Sequence, residues 1–406
     1  MTLYYLFFLS IMLAEIAGSL FSASHFIRAI AVSGVILCTG PFCLLKAYQS
    51  QELNKFNINH YLTGLWLTGA FATLIAGIGN NSLYYVLADI YHWHIELILV
   101  SFFTASILVL MDEYRIIQLL IYASLISGVF GCFFLFLSYS GLINTGGHMV
   151  KAIDMWRLTA TRGFPEYSLI FLTATYLFQG SLSDKLYLLR TISMCILLIL
   201  LIFTLKRVAW ISYFLSLPII FLSRRLLKTI IKAGCILLPV MIFIILNYPM
   251  HVIFFISNLL DFLTYNPNYT VFDTLMDRVR QFTELYPYMK NNSIGYGFGA
   301  AYDYKPGEVV HYVHNYYIYY FLQLGYLGMA SLLLITAAIF KKSYNILCTT
   351  FRFKWINRLS LAVLFVMLFN GLTLLSTHTV FCGIGYGFIF ASFRLVKHEN
   401  TAAAYA

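Results

Sequence analysis

The segment with most chemical potential reads His311-Tyr-Val-His314-Asn315, followed after nine residues by Gly325-Tyr-Leu-Gly328. A histidine at the mouth of an apolar run can serve as a general base near neutral pH. Gly325 and Gly328 would let a neighbouring helix or a lipid carrier come close. The competing reading is an interfacial histidine in an aromatic belt, since Tyr312, Tyr316, Tyr317, Tyr319 and Tyr320 surround it.

A second constellation, Lys206-Arg207-Val-Ala-Trp210, interrupts two apolar runs. An arginine at bilayer depth costs roughly 2.5–3.5 kcal/mol on insertion scales, so it carries a task or a partner. Between Asp184 and Asp261 no acid occurs. A lipid-linked phosphate would suit the guanidinium fork, and a snorkelling pair at the headgroup boundary is the alternative.

The third is Asp277-Arg278-Val-Arg280-Gln-Phe282, leading through Pro287 to Gly295-Tyr-Gly297-Phe-Gly299. On a helix Arg278 and Arg280 point apart, so one faces a substrate while the other pairs with Glu284. The alternating glycines lack the strand–turn–helix setting of a dinucleotide fingerprint and suggest a tight turn held against a ligand or a helix end. Arg157 and Arg162 are either further phosphate contacts or ordinary interface charges. His92-Trp-His94 puts its rings on different helix faces and offers no metal site, and no Asp-x-Asp pair stands ready for a metal–nucleotide donor.

The elements that position these groups follow from composition. Of 406 residues 61% are apolar and only 10% charged, with a mean hydropathy of +0.80. That excludes soluble enzymes, DNA-binding proteins and disordered chains. The apolar runs are continuous, so the fold is an all-α polytopic bundle rather than a barrel. About twelve spans are expected, near 2–20, 27–45, 60–78, 93–110, 117–139, 166–180, 187–205, 208–222, 231–248, 315–339, 359–377 and 380–394. Residues 1–406 then form one membrane domain, with a large folded periplasmic loop, 249–314, between spans nine and ten.

The net charge of +10 falls in breaks on one side, from Lys46 and Lys55 through Arg224, Arg225 and Lys228 to Arg394 and Lys397. It therefore reports orientation, with both termini cytoplasmic, and not a nucleic-acid partner. The N-terminal run is expected to be a retained span, not a cleaved signal. The seven cysteines sit in apolar runs or inner breaks, which suits packing rather than disulfides or zinc.

Taken in order, these constellations resemble the O-antigen ligase and polymerase superfamily. Arg207 before Ala-Trp is similar to the family's Ser-Arg-Gly-Ala-Trp region. Arg278, Phe282, Pro287 and the glycine turn follow its arginine, tryptophan, proline and glycine order. His314-Asn315 with Gly325 and Gly328 matches its His-Asn, nine residues, Gly-x-x-Gly pattern, and the stretch from Arg157 through Pro165 is loosely similar to the segment before its mid-chain span. Lys206 and Val208 depart from the usual serine and glycine, Phe282 from tryptophan, and the register of the loop arginine stays open between Arg278 and Arg280.

The resemblance implies a metal-independent GT-C-type glycosyltransferase without cofactor, in the bacterial cytoplasmic membrane with its site facing the periplasm. Its partners would be membrane lipid and an undecaprenyl-pyrophosphate-linked oligosaccharide, with a chain-length regulator as a candidate. Arg207 with Arg278 or Arg280 would neutralise the departing pyrophosphate, and His314 would take the proton of the attacking hydroxyl. Asn315, Arg157, Arg162 and Tyr317 would bind substrate. An O-antigen polymerase is the favoured reading and an O-antigen ligase its close rival. A transporter of the same lipid-linked glycan is less favoured, because no internal duplication is detected.

Overall fold

The computed structural model describes residues 2–20, 25–56, 58–140, 148–150, 155–157, 164–178, 180, 182–204, 207–221, 271–290, 292–305, 308–311, 313, 315–349, 354–371 and 380–405. For Arg157, Arg207 and Arg278 the backbone is described and the side chain is not. The expected ninth span at 231–248, Arg162 and His314 lie outside the described residues.

The described helices are α1 (Thr2–Leu20), α2 (His25–Gln49), α3 (His60–Ile78), α4 (Leu83–Ile90), a π-helical stretch (Tyr91–Leu99), α5 (Val100–Leu110), α6 (Glu113–Tyr139), α7 (Phe164–Ala174), α8 (Asp184–Thr204), α9 (Arg207–Phe221), α10 (Val271–Lys290), α11 (Tyr316–Thr349), α12 (Lys354–Asn370) and α13 (Val380–Tyr405). Among the described residues six stretches are long and apolar enough to cross a membrane by length and composition, and four shorter apolar helices accompany them. The protein is a polytopic helical membrane protein.

Local sequence explains the element ends. Asn59 caps α3 by accepting from the Tyr61 amide at 2.9 Å. Pro165 sits in the first turn of α7, where its missing N–H costs nothing. Among the described residues two short antiparallel hairpins interrupt the all-helical expectation: β1 (His148–Val150) with β2 (Met155–Arg157), and β3 (Tyr302–Lys305) with β4 (Glu308–Val310).

The expected span 93–110 starts ten residues earlier, at Leu83. Asp89, His92, His94 and Glu96 depress hydropathy there, yet Asp89, His92 and Glu96 are buried. In the π-helical stretch His92 Nδ1 and Glu96 Oε2 pair at 2.5 Å, and Trp93 donates to the Leu65 carbonyl at 2.8 Å. Glycines admit this wider turn: a Cβ at Gly69 would stand 2.3 Å from the Trp93 ring, and one at Gly383 would stand 2.0 Å from the Glu96 carbonyl. α13 packs against α5, α12 against α9, α6 against α8 and α11 against α3. The short α7 is buried between α8, α9 and α12.

Candidate active site

Helix α11 starts where the sequence places its His-Asn pair. The Asn315 side-chain oxygen accepts from the amides of Tyr317 at 3.0 Å and Ile318 at 3.1 Å, capping the first turn. The Tyr316 amide donates to the Gly371 carbonyl at 2.8 Å, and the Tyr317 hydroxyl donates to the Leu368 carbonyl at 2.8 Å. Of these two residues, both expected to bind substrate, Asn315 caps the helix start and Tyr317 ties it to the end of α12. His311 lies flat on Tyr85 of α4, with ring centroids 3.5 Å apart.

Beside that junction four helices share a buried polar knot. Ser212 of α9 donates to the side-chain oxygen of Asn370, the last residue of α12. Tyr167 of α7 hydrogen-bonds Asn370 and accepts from the thiol of Cys382 of α13 at 3.6 Å. All four side chains are at most 3% exposed, and Glu166, also buried, neighbours them in the first turn of α7. Arg207 is the first residue of α9, five residues before Ser212 and so about 7.5 Å up the helix axis. Arg162 precedes Tyr167 by five positions in the chain, and His314 precedes Tyr316 by two.

The Asn370–Gly371 corner therefore ties together α7, α9 and α11, the helices that follow Arg162, begin at Arg207 and follow His314 in the chain. The other arginines sit on different elements. Arg157 ends β2, which packs on α8. Arg278 and Arg280 lie on α10, which packs on α11 and β3, and Arg280 is exposed.

The glycine turn meets a helix break. At Gly325, with φ 65° and ψ −170°, α11 leaves helical geometry, so the carbonyls of Phe321, Leu322 and Gln323 lose the amides four residues on. The Asn292 side chain donates to Phe321 at 3.0 Å and Leu322 at 2.8 Å. The Tyr296 amide also donates to Leu322 at 2.9 Å, and the Gly297 amide to Gln323 at 3.0 Å. Gly295, Gly297 and Gly299 all have positive φ. A Cβ on Gly295 would stand 2.2 Å from the Gln323 carbonyl oxygen, and one on Gly325 would stand 2.5 Å from the Gly295 amide.

The close approach expected at Gly325 is real, but the visitor is this loop rather than a neighbouring helix. At Gly328 the nearest atoms belong to Leu324 of the same helix, so the approach expected there is not found among the described residues. The expected continuous span 315–339 is correspondingly a broken helix. Around the turn, Tyr288, Tyr296 and Tyr302 meet edge to face. Burial, then the nearby Asp89 carboxylate, pushes the Tyr302 phenol well above its ordinary range.

Asn370, Ser212 and Asp89 are buried, hydrogen-bonded residues that motif spacing missed. A polar or acidic residue inside an apolar run is the available signal, because bilayer burial is tolerated only with partners.

The fold defines a class, that of polytopic helical membrane proteins. Residues 192–333 match the family model described as O-antigen ligase. The resemblance to the O-antigen ligase and polymerase superfamily is thereby borne out over this segment, whose family transfers glycans and whose matched residues include Arg207, Arg278, Arg280, His314, Asn315 and Gly325. No curated protein matches the chain.

Proposed function

We propose that this protein is a membrane glycosyltransferase that polymerises undecaprenyl-pyrophosphate-linked O-antigen repeat units at the periplasmic face of the cytoplasmic membrane. The observation that carries the reading is the family match over 192–333, which contains the arginine, loop-arginine and His-Asn constellations in the family's order. An acceptor hydroxyl attacks the anomeric carbon of the lipid-linked glycan, and the bond from that carbon to the pyrophosphate oxygen breaks. The leaving lipid pyrophosphate keeps the electron pair, neutralised by Arg207 with Arg278 or Arg280. His314 accepts the proton of the attacking hydroxyl, a contribution of about 10²–10⁴ in rate.

Asn315 orders the turn beside His314, while Arg157, Arg162 and Tyr317 line the approach of substrate. The donor is already activated at its glycosyl phosphate, so neither nucleotide, metal nor cofactor enters. Twelve spans of GT-C type, both termini in the cytoplasm and the 249–314 loop outside complete the architecture. A chain-length regulator is the expected partner.

The description of the matched family favours a second reading, an O-antigen ligase that moves the glycan to lipid A–core. Purified protein given lipid-linked repeat units alone separates the two. The polymerase extends chains without lipid A–core, and growth only when lipid A–core is supplied assigns the ligase.

A further inference from the structure

Asp89, near the end of α4, is 3% exposed. Its Oδ2 accepts from the Gly299 amide at 2.7 Å and from Gln323 Nε2 at 2.7 Å. Its Oδ1 accepts from the Tyr319 hydroxyl at 2.5 Å. Tyr319 and Gln323 are four residues apart and share one helix face. All three named partners are donors. A carboxylate can accept from all of them, whereas a carboxamide turns its own N–H₂ toward one side of the set.

The grip matters because of where it falls. The break at Gly325 leaves residues 316–324 as a half-helix of nine residues, about 13.5 Å long. No unbroken ladder joins it to the remainder of α11, so lateral ties set its position. At its start are the Tyr316–Gly371 and Tyr317–Leu368 bonds. At its far end are Asp89 and the inserted turn, which is tied to the α3–α4 connection through Asn81, donating to the carbonyls of Tyr296 and Phe298 at 2.8 Å each.

We propose that Asp89 is a positioning residue for glycan transfer. It locks the glycine turn and the half-helix 316–324 together and thereby fixes the chain that carries His314 and Asn315. The functional part rests on the transferase reading above, and the lock itself does not.

The test is Asp89→Asn in the full-length protein, measured two ways. Amide hydrogen exchange should lose protection at 295–299 and 319–323. In glycan transfer kcat should fall by about tenfold or more while the donor KM stays within about twofold, the pattern of a misplaced reacting group rather than lost binding. The pair Asp89→Asn with Gln323→Glu puts an acceptor opposite the new amide and should recover part of both. Tyr319→Phe removes one donor of the three and should show the same pattern more weakly, which serves if Asp89→Asn fails to accumulate.

Unchanged protection, or lost protection with unchanged kcat, overturns the proposal. If instead His314→Ala transfers glycan at the parent rate while Asp89→Asn still lowers kcat and protection, the proton acceptor is another group and the lock stands.

Discussion

The Tyr316 amide donates to the Gly371 carbonyl at 2.8 Å, joining the first residue of α11 to the residue that follows α12. The neighbouring Asn370 takes the hydroxyl of Ser212 from α9. One corner of the chain thus receives the start of α11 and the second turn of α9, the helix that begins at Arg207. Neither helix could shift along its axis without losing a bond at this corner.

The glycine turn should be intolerant of any side chain. Gly295→Ala places a Cβ 2.2 Å from the Gln323 carbonyl oxygen at φ 105°. The conformational part alone costs about 1–2 kcal/mol, and the clash adds to it. Gly34→Ala, on a helix with nothing within 4 Å, should instead be neutral or gain about 0.5–1 kcal/mol. Thermal unfolding of both variants in one detergent checks this. Equal shifts would show that the turn does not fill the helix break.

Removing the Ser212 hydroxyl should destabilise the bundle by about 1–3 kcal/mol, because Asn370 loses a buried donor. Asn370→Ala should cost more, since Tyr167 loses a partner as well. The double variant should be clearly less damaging than the sum of the singles. Simple additivity in denaturation midpoints would deny the coupling of α9 to α12.

If His314 is the proton acceptor, transfer depends on its neutral form. The rate should then fall on acidification, as the ring becomes protonated and cannot accept. In His314→Ala that fall should vanish and the rate drop by about 10²–10⁴. A persisting fall in the variant would assign the titration to another group.

Arg207→Ala should weaken competition by undecaprenyl pyrophosphate, while Arg207→Lys should recover only part of it, since an ammonium keeps the charge and loses the bidentate fork. Arg278 and Arg280 are two residues apart in α10, a spacing that puts them on different helix faces, so only one of Arg278→Ala and Arg280→Ala should weaken it too. Displacement of a labelled lipid pyrophosphate measures all four. Parent-like affinity of Arg207→Ala would remove this side chain from donor binding.

Much of the fold could be read from composition, because a run of apolar residues leaves its backbone no partner in lipid except its own. Apart from α4 and α10, the described helices lie on the expected runs. The motif order from Arg207 to Gly325 was legible in the same way and led to the matched family.

Asp89 was not legible. Its value depends on Gly299 and Gln323, more than two hundred residues later in the chain, and by hydropathy alone it only shortened a predicted span. The same holds for Asn370, which gains meaning from Ser212 and Tyr167. Apolar length and motif spacing are properties of neighbouring residues, so the sequence alone determined the membrane class, the helices and the candidate groups. Which carbonyls stand exposed at a break, and which distant donors answer them, is settled only when the chain packs, because a buried polar group must find its partner wherever the fold brings one.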